Sequence, residues 1–278
     1  MNKDIFLHSV NCSFEGNIGY KDRANFYEVE YAETADQYFL RSLITPKVKS
    51  VLEIPCGVGR NALQLAESGA KVVAVDREPA MIRKLKKRIG MLHNCKNLEP
   101  LEGDMVSLNL QREFDLIIVP REAFQMIIED HHALQVLKRL KFHLSRNGSM
   151  VIDLATFKKS KLNEQSIQPD YYDPNLPDGD KIFDWTKKIS SGDIITRHRI
   201  QQHYNKFVEI EYHYDIRRLS GKTEKWVSKV TLRVYTKEDF TALAKCAGLI
   251  PDKIIRNYLY EPFESGAVRM IFFLNLGR

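Results

Sequence analysis

Apolar positions along this chain fall into short blocks whose spacing changes character about halfway. In the first half, compact runs alternate with stretches of helical period. Val51 to Ile54 is followed by a helix-like segment from Asn61 to Glu67, then by Val72 to Val75, then by Met81, Ile82, Leu85 and Ile89 at helical spacing. Short apolar runs bounded by turns suit strands buried on both faces, and the intervening 3.6-residue periods suit the crossover helices of a parallel sheet. Phe114 to Pro120 and Met150 to Leu154 read as further strands. A helix from about His131 to Leu144 separates them and stops at the turn Arg146-Asn147-Gly148. Upstream, Asp22 to Leu43 reads as one helix with Phe26, Tyr27, Tyr31, Tyr38, Phe39 and Leu43 as its apolar points, closed by Pro46.

The period then shortens to two. Residues 158–180 hold three prolines among polar groups and read as a loop. Four strand-like runs follow: Ile182 to Ile189, Ile194 to Tyr204, Phe207 to Arg217 and Lys225 to Tyr235. The third alternates most clearly, with Val208, Ile210, Tyr212, Tyr214 and Ile216 on one face and Glu209, Glu211, His213, Asp215 and Arg217 on the other. The expected product is a small antiparallel sheet inserted before the last helix and strands. Thr236, with Asp239 three residues on, caps that helix, which ends near Gly248, and Met270 to Asn275 forms the final strand.

The chemistry concentrates where the first strand meets its helix. The turn reads Glu53-Ile54-Pro55-Cys56-Gly57-Val58-Gly59-Arg60-Asn61, and the second strand ends on Asp76. This is the layout of a nucleotide-binding βαβ unit, in which glycine admits the ligand and the acid holds ribose hydroxyls. Gly57, Gly59 and Ala62 satisfy a dinucleotide fingerprint too, so the glycines alone do not choose the cofactor. Glu53 does: a carboxylate here repels a pyrophosphate and suits a ligand bearing an ammonium and a sulfonium. That points to S-adenosyl-L-methionine.

These residues resemble the motifs of class I S-adenosylmethionine-dependent methyltransferases. Glu53 to Arg60 is similar to their first motif, with Pro55 and Cys56 ahead of the glycines. Glu102-Gly103-Asp104-Met105 is similar to the third, Phe114 to Pro120 to the fourth strand, and Gly148 to Asp153 to the fifth. The resemblance covers roughly Pro46 to Thr156 and resumes at Tyr235 to Leu276. It departs from many members in carrying glutamate at Glu53 and proline at Pro55. It implies a Rossmann-like, doubly wound α/β fold with a mostly parallel seven-stranded sheet, an inserted antiparallel sheet and an N-terminal helical lid. The implied division is a tail and lid (residues 1–45), a methyltransferase core (46–157 and 235–278) and a roof over the substrate (158–234). The insertion and aromatic N-terminal helix resemble the sugar-amine and amino-acid N-methyltransferases in architecture.

What the resemblance implies for the site is specific. Asp76 holds the ribose, Asp104 the adenine amino group, and Met105 packs on the adenine ring. Arg77, Gly103 and Pro120 complete the cofactor cradle with Pro55, Gly57 and Gly59. If the N-terminal helix is a lid, Tyr27 reaches the methionine end of the cofactor and Arg23 its carboxylate; core packing of Tyr27 and Tyr31 is the alternative. After the fourth strand, Gln125 matches a histidine of the sugar N-methyltransferases and is expected to orient substrate, since glutamine is a poor base. Phe124 packs near the cofactor. Arg121 pairs with a substrate carboxylate, with Glu122 or with a loop carbonyl. Asp153 faces the pocket or caps a loop. On the inserted sheet, His198, Tyr204, His213, Tyr214 and Tyr235 are candidates for substrate contact, and alternation keeps His213 and Tyr214 from facing the pocket together.

Composition narrows the rest. The four cysteines, Cys12, Cys56, Cys95 and Cys246, form no C-x-x-C pair, so a disulfide framework or zinc site is not expected and a cytoplasmic setting is. Cys56 reads as a small turn residue. No apolar run reaches membrane-spanning length, and the first residues show no signal-peptide core. Forty-two Lys and Arg against 36 Asp and Glu give a net charge of +6, which permits an anionic partner without demanding one. The densest basic run, Arg83, Lys84, Lys86, Lys87 and Arg88, reads as a solvated helix face. No metal-ligand spacing is evident, because the adjacent His131 and His132 point different ways on a helix. The expectation is therefore metal-free methyl transfer to a small molecule, an amine ahead of a hydroxyl or activated carbon. Alternatives are an RNA methyltransferase and a non-catalytic binding protein on the same fold. Nucleic acid and membrane are not expected partners, and a homodimer is left open.

Overall fold

The computed structural model describes residues 26–30, 35–92, 95–157, 172–173, 176–189 and 191–277, without the side chains of Tyr27 and Glu28. Arg23 and Tyr31 lie outside the described residues. The chain runs α1 (Tyr27–Glu30), α2 (Ala35–Ser42), β1 (Ser50–Glu53), α3 (Arg60–Glu67), β2 (Lys71–Asp76), α4 (Pro79–Gly90), β3 (Leu98–Glu102) and β4 (Phe114–Val119). A short 3-10 turn (Ala123–Met126) leads to α5 (Asp130–Phe142) and β5 (Leu144–Ala155). The inserted strands β6 (Ile182–Lys188), β7 (Ile194–His203), β8 (Phe207–Arg217) and β9 (Thr223–Arg233) precede α6 (Lys237–Cys246), β10 (Leu249–Ile255) and β11 (Arg269–Leu276).

Seven strands form one sheet in the order β10-β11-β5-β4-β1-β2-β3, and β6 to β9 form a second in sequence order. In the large sheet β11 runs antiparallel to both β5 and β10, while β1 to β5 pair in parallel. Alternation explains the layering. Leu52, Val73, Ile117, Ile152 and Phe272 pack with α5 and α6, whereas Val51, Val72, Leu116, Val151 and Ile271 pack with α2, α3 and α4. Both faces are apolar, so both need helices, which makes the sheet doubly wound. The sheet order reverses between β1 and β4, and ligands of such sheets bind beyond the strand ends at that point. Among the described residues no helix is long and apolar enough to cross a membrane.

Three boundaries differ from the expectation. The single N-terminal helix is represented by two described pieces, α1 and α2. The fifth strand starts at Leu144, because the Arg146-Asn147-Gly148 segment is an irregularity within it: β4 pairing jumps from Phe114–Leu144 to Leu116–Ser149. An added strand, β10, follows α6 directly. The capping box on α6 forms as expected, with Asp239 N–H donating to the Thr236 hydroxyl and Thr236 N–H to the Asp239 carboxylate.

The inserted sheet turns one face inward. Tyr212, Tyr214, Ile210, Val208 and Trp185 cluster there with Phe26, Ala155 and Phe157 of the core. The piece around α1 is docked on that face. Phe26 stacks on Tyr214 at 4.7 Å, Lys187 donates to the Val29 carbonyl at 2.8 Å, and buried Glu30 accepts from Arg197 at 2.9 Å and from the Tyr214 hydroxyl.

Candidate functional site

The cofactor turn is built by two left-handed glycines. Gly57 has φ of 55° and Gly59 of 77°. A Cβ at Gly59 would stand 2.2 Å from Leu85 Cδ1, so this glycine admits α4 against the turn as much as it admits a ligand. Arg88, also on α4, donates to the Val58 carbonyl at 3.0 Å. One member of the basic run therefore props up the turn and is not simply solvated.

Glu53 ends β1 beneath this turn and is 1% exposed. Asn61, one residue into α3, donates to Glu53 Oε1 at 3.1 Å, while Glu53 Oε2 and Asn61 Oδ1 have no hydrogen-bond partner. Burial pushes the Glu53 carboxyl up to about 8, against the smaller pull of the Asn61 side chain, Arg60 and the Ala62 backbone N–H. An unpaired buried carboxylate oxygen is costly, and a cationic ligand would relieve it. Asp76, at the end of β2, accepts from Gly57 N–H at 2.8 Å and Glu78 N–H at 2.9 Å, and burial raises its carboxyl too. Each Asp76 oxygen keeps a further lone pair for a ribose hydroxyl. Burial, with Glu53 and Asp76 adding, also pushes the Cys56 thiol up, so it stays protonated and fills the turn. Asp104 follows β3 with its Oδ1 accepting from Val106 N–H at 2.8 Å and Arg77 3.9 Å from its Oδ2. Gly103, Met105 and Pro120 lie at the same end of the sheet, partly exposed.

Beside Glu53 lies a polar cluster that the sequence did not announce. Asp36 of α2 binds the Arg60 guanidinium through both oxygens, and Arg121 Nη1 lies 3.9 Å from it. Gln37 donates to the Arg60 carbonyl at 2.8 Å. After β4 the backbone takes two left-handed residues in a row, Arg121 at φ 45° and Glu122 at φ 54°. Such strain costs about 1–3 kcal/mol per residue and is kept only where surroundings enforce it. Here they do: Glu122 N–H donates to the Asp153 carbonyl, and its carboxylate binds Arg269 at 2.5 Å. Arg269 also binds Asp153, whose second oxygen accepts from the Tyr258 hydroxyl at 2.7 Å. The readable signal was Arg269 itself, a cation heading the apolar run of the last strand.

Several expected substrate residues are placed elsewhere. Asp153 is 5% exposed and engaged by Arg269 and Tyr258. Arg121 Nη1 lies 3.9 Å from Asp36, and its charge also opposes the burial that raises the carboxyl of Glu122, one of the partners anticipated. Gln125 is fully buried, and its amide is engaged throughout: Nε2 donates to the carbonyls of Ala155 at 3.0 Å and Arg233 at 2.8 Å, and Oε1 accepts from Ala155 N–H at 2.7 Å. It ties the inserted sheet to β5 and has no donor left to orient substrate. Phe124 and Tyr235 pack with each other and with Phe240 in the main core. His213 sits on the outer face of the inserted sheet, opposite His198 of β7, since alternation gives the inner face to Tyr212 and Tyr214.

Comparison with known proteins agrees with this geometry. A protein-family profile described as "Methyltransferase domain" matches residues 51–148. The cypemycin N-terminal methyltransferase of Streptomyces sp is 32% identical over 123 residues, which are 43% of this chain and 48% of that protein. The chain thus spans under half the length of that relative. The sugar N-methyltransferase of Streptoalloteichus sp ATCC 53650 superposes with a TM-score of 0.73 at 16% identity, covering 100% of both chains. An S-adenosylmethionine-dependent methyltransferase from Clostridium acetobutylicum ATCC 824 gives 0.72 at 16% identity, covering 93% of this chain and 99% of that one. The fold is that of methyltransferases of known structure, and residues 51–148 are similar to a methyltransferase domain.

Proposed function

We propose that this chain transfers a methyl group from S-adenosylmethionine to a nitrogen of a small molecule held under the inserted sheet. The observation that carries the reading is Glu53: a fully buried carboxyl, raised by burial, with one oxygen unpartnered at the carboxyl end of β1. In the proposal Glu53 receives the α-ammonium, Asp76 the ribose, and Asp104 with Met105 the adenine. Gly57, Gly59, Pro55, Gly103, Arg77 and Pro120 frame the cradle. The bound cofactor supplies an electrophilic methyl on a sulfonium. The chain's part is to hold the acceptor nitrogen in line with the C–S bond and to exclude water.

The docking of Glu30 and Phe26 onto the inner face of β7 and β8 supports a roofed site rather than an open groove. Arg88's contact with the turn weakens the case for a nucleic-acid footprint on α4. The names of the compared N-methyltransferases support nitrogen as the acceptor. Titration calorimetry with S-adenosylmethionine, followed by radiolabelled transfer to glycine, glucosamine and a tripeptide with a free N-terminus, tests the proposal. Micromolar binding and transfer to at least one amine are expected. Absence of binding would refute it.

A further inference from the structure

The proposed reaction leaves a proton to be moved. An amine at neutral pH is an ammonium without a lone pair, so one N–H proton must depart before the nitrogen can attack. Gln125, expected to orient substrate, has both amide hydrogens engaged by backbone carbonyls. The inner face of β7 offers another route. Arg197, Arg199, Gln201 and His203 alternate along that face, an unusual polar stripe on the side that packs inward. At its end, His203 Nε2 meets the hydroxyl of Tyr172, and His203 Nδ1 meets the Asp178 carboxylate. The Tyr172 hydroxyl also lies 3.2 Å from the carbonyl of Phe157, just beyond the end of β5.

Asp173, Asp178 and Gly179 are fastened to β7. Gln201 donates to the Asp173 carbonyl at 2.8 Å and accepts from Asp173 N–H at 3.0 Å. Gly179 N–H donates to the Gln201 carbonyl at 2.9 Å, and Gln202 reaches Asp178 at 3.3 Å. The three groups grade from inside to outside: Tyr172 is 8% exposed, while the side chains of His203 and Asp178 are 32% and 39% exposed.

We propose that Tyr172, His203 and Asp178 form a proton relay that deprotonates the acceptor amine, with Tyr172 as the catalytic residue and the other two positioning and discharging it. This rests on the amine reading above. The Asp178 carboxylate fixes neutral His203 as the Nδ1–H tautomer, which turns a bare Nε2 toward the phenol. An N–H proton of the ammonium passes to the Tyr172 oxygen as the Tyr172 proton passes to Nε2. The products are a neutral amine, a neutral tyrosine and an imidazolium paired with Asp178, which sheds its proton to water at the exposed edge. The amine lone pair then forms the N–CH3 bond, and the electrons of the breaking C–S bond stay on sulfur. When His203 is charged, Nε2–H donates to the Tyr172 oxygen and the hydroxyl turns to the Phe157 carbonyl, so the relay is off. Burial holds the Tyr172 hydroxyl above its ordinary range, which keeps it a phenol and makes the handover to His203 necessary. The charged groups facing the pair are Asp178, Asp173 and Arg199.

The test uses the full chain, radiolabelled S-adenosylmethionine, and glycine, glucosamine and the tripeptide as acceptors, with side-chain nitrogen NMR of His203. Wild-type kcat on the best of the three should rise with pH through the value at which His203 titrates by NMR, and neutral His203 should be the Nδ1–H tautomer. Tyr172→Phe should bind the cofactor within threefold of wild type, lose about 100-fold in kcat, and lose that rising limb while His203 still titrates. Asp178→Asn should move the kinetic limb and the NMR titration together. A Tyr172→Phe enzyme with wild-type kcat and limb, or a kinetic limb that ignores the Asp178→Asn shift, would overturn the relay alone. A wild-type chain that binds cofactor but methylates none of the three amines would overturn the amine reading, and the relay with it.

Discussion

Binding of S-adenosylmethionine should expel a proton from Glu53. In the free protein burial raises this carboxyl from an ordinary 4.5 to about 8, so at pH 6.5 it is protonated in nearly every molecule. The α-ammonium of the ligand, whose ordinary value is roughly 7.7–8.0, is charged at that pH and needs a carboxylate opposite it. Close to one proton should therefore leave per cofactor bound. Apparent affinity should climb about tenfold per pH unit between pH 6 and 7, a gain of about 1.4 kcal/mol each. Calorimetry at pH 6.5 in phosphate, imidazole and Tris reads the proton directly, because the observed heat varies with buffer ionisation enthalpy. Glu53→Gln should abolish the buffer dependence and weaken binding. The same residue sets a stability signature. Because the folded value lies above the unfolded one, the Glu53 contribution is full below pH 4.5 and is lost as pH rises to about 8. The loss reaches roughly 5 kcal/mol, so Glu53→Gln should be the more stable free protein at pH 8 by several kcal/mol in urea titrations. Equal binding heats in the three buffers, or a Glu53→Gln protein no more stable than wild type at pH 8, would refute the reasoning.

Other perturbations separate structural from chemical roles. Gly59→Ala combines a left-handed φ with a clash against Leu85, and should cost about 2–4 kcal/mol by denaturant titration, with Leu85→Ala relieving part of it. Gln125→Leu strands the Ala155 N–H and the Ala155 and Arg233 carbonyls, and should destabilise by about 2–4 kcal/mol; a stable variant with reduced kcat would restore the substrate role. Arg269→Met leaves Glu122 and Asp153 buried without their cation, and should cost about 3–5 kcal/mol in the same assay.

The parts of this fold that were legible in the sequence are those fixed by local pattern. Val72 to Val75 reads as a buried strand because both faces need apolar residues, and Phe207 to Arg217 matches β8 because alternation with a period of two is hard to mistake. The cofactor turn was legible because glycine, carboxylate and strand end recur at fixed offsets. The polar contacts between distant segments were not. Nothing local marks Asp36 as the partner of Arg60, or Arg269 as the partner of Glu122 and Asp153, since those pairs are created by packing α2 against α3 and β11 against β5 and the turn after β4. Gln125 misled because a polar residue at a switch point is usually turned to ligand, and only the closeness of β9 shows that its amide is fully engaged. His203 was passed over in favour of His213. Parity along β7 places it with Arg197, Arg199 and Gln201 on the inward face, but which face points inward is set by the core, not by the strand.

The most direct measurement is a crystal structure with S-adenosylhomocysteine bound. The account predicts its amino group within hydrogen-bond distance of Glu53 Oε2 and its ribose hydroxyls on Asp76. A ligand lodged elsewhere, or Glu53 Oε2 still without a partner when the nucleoside is in place, would contradict it.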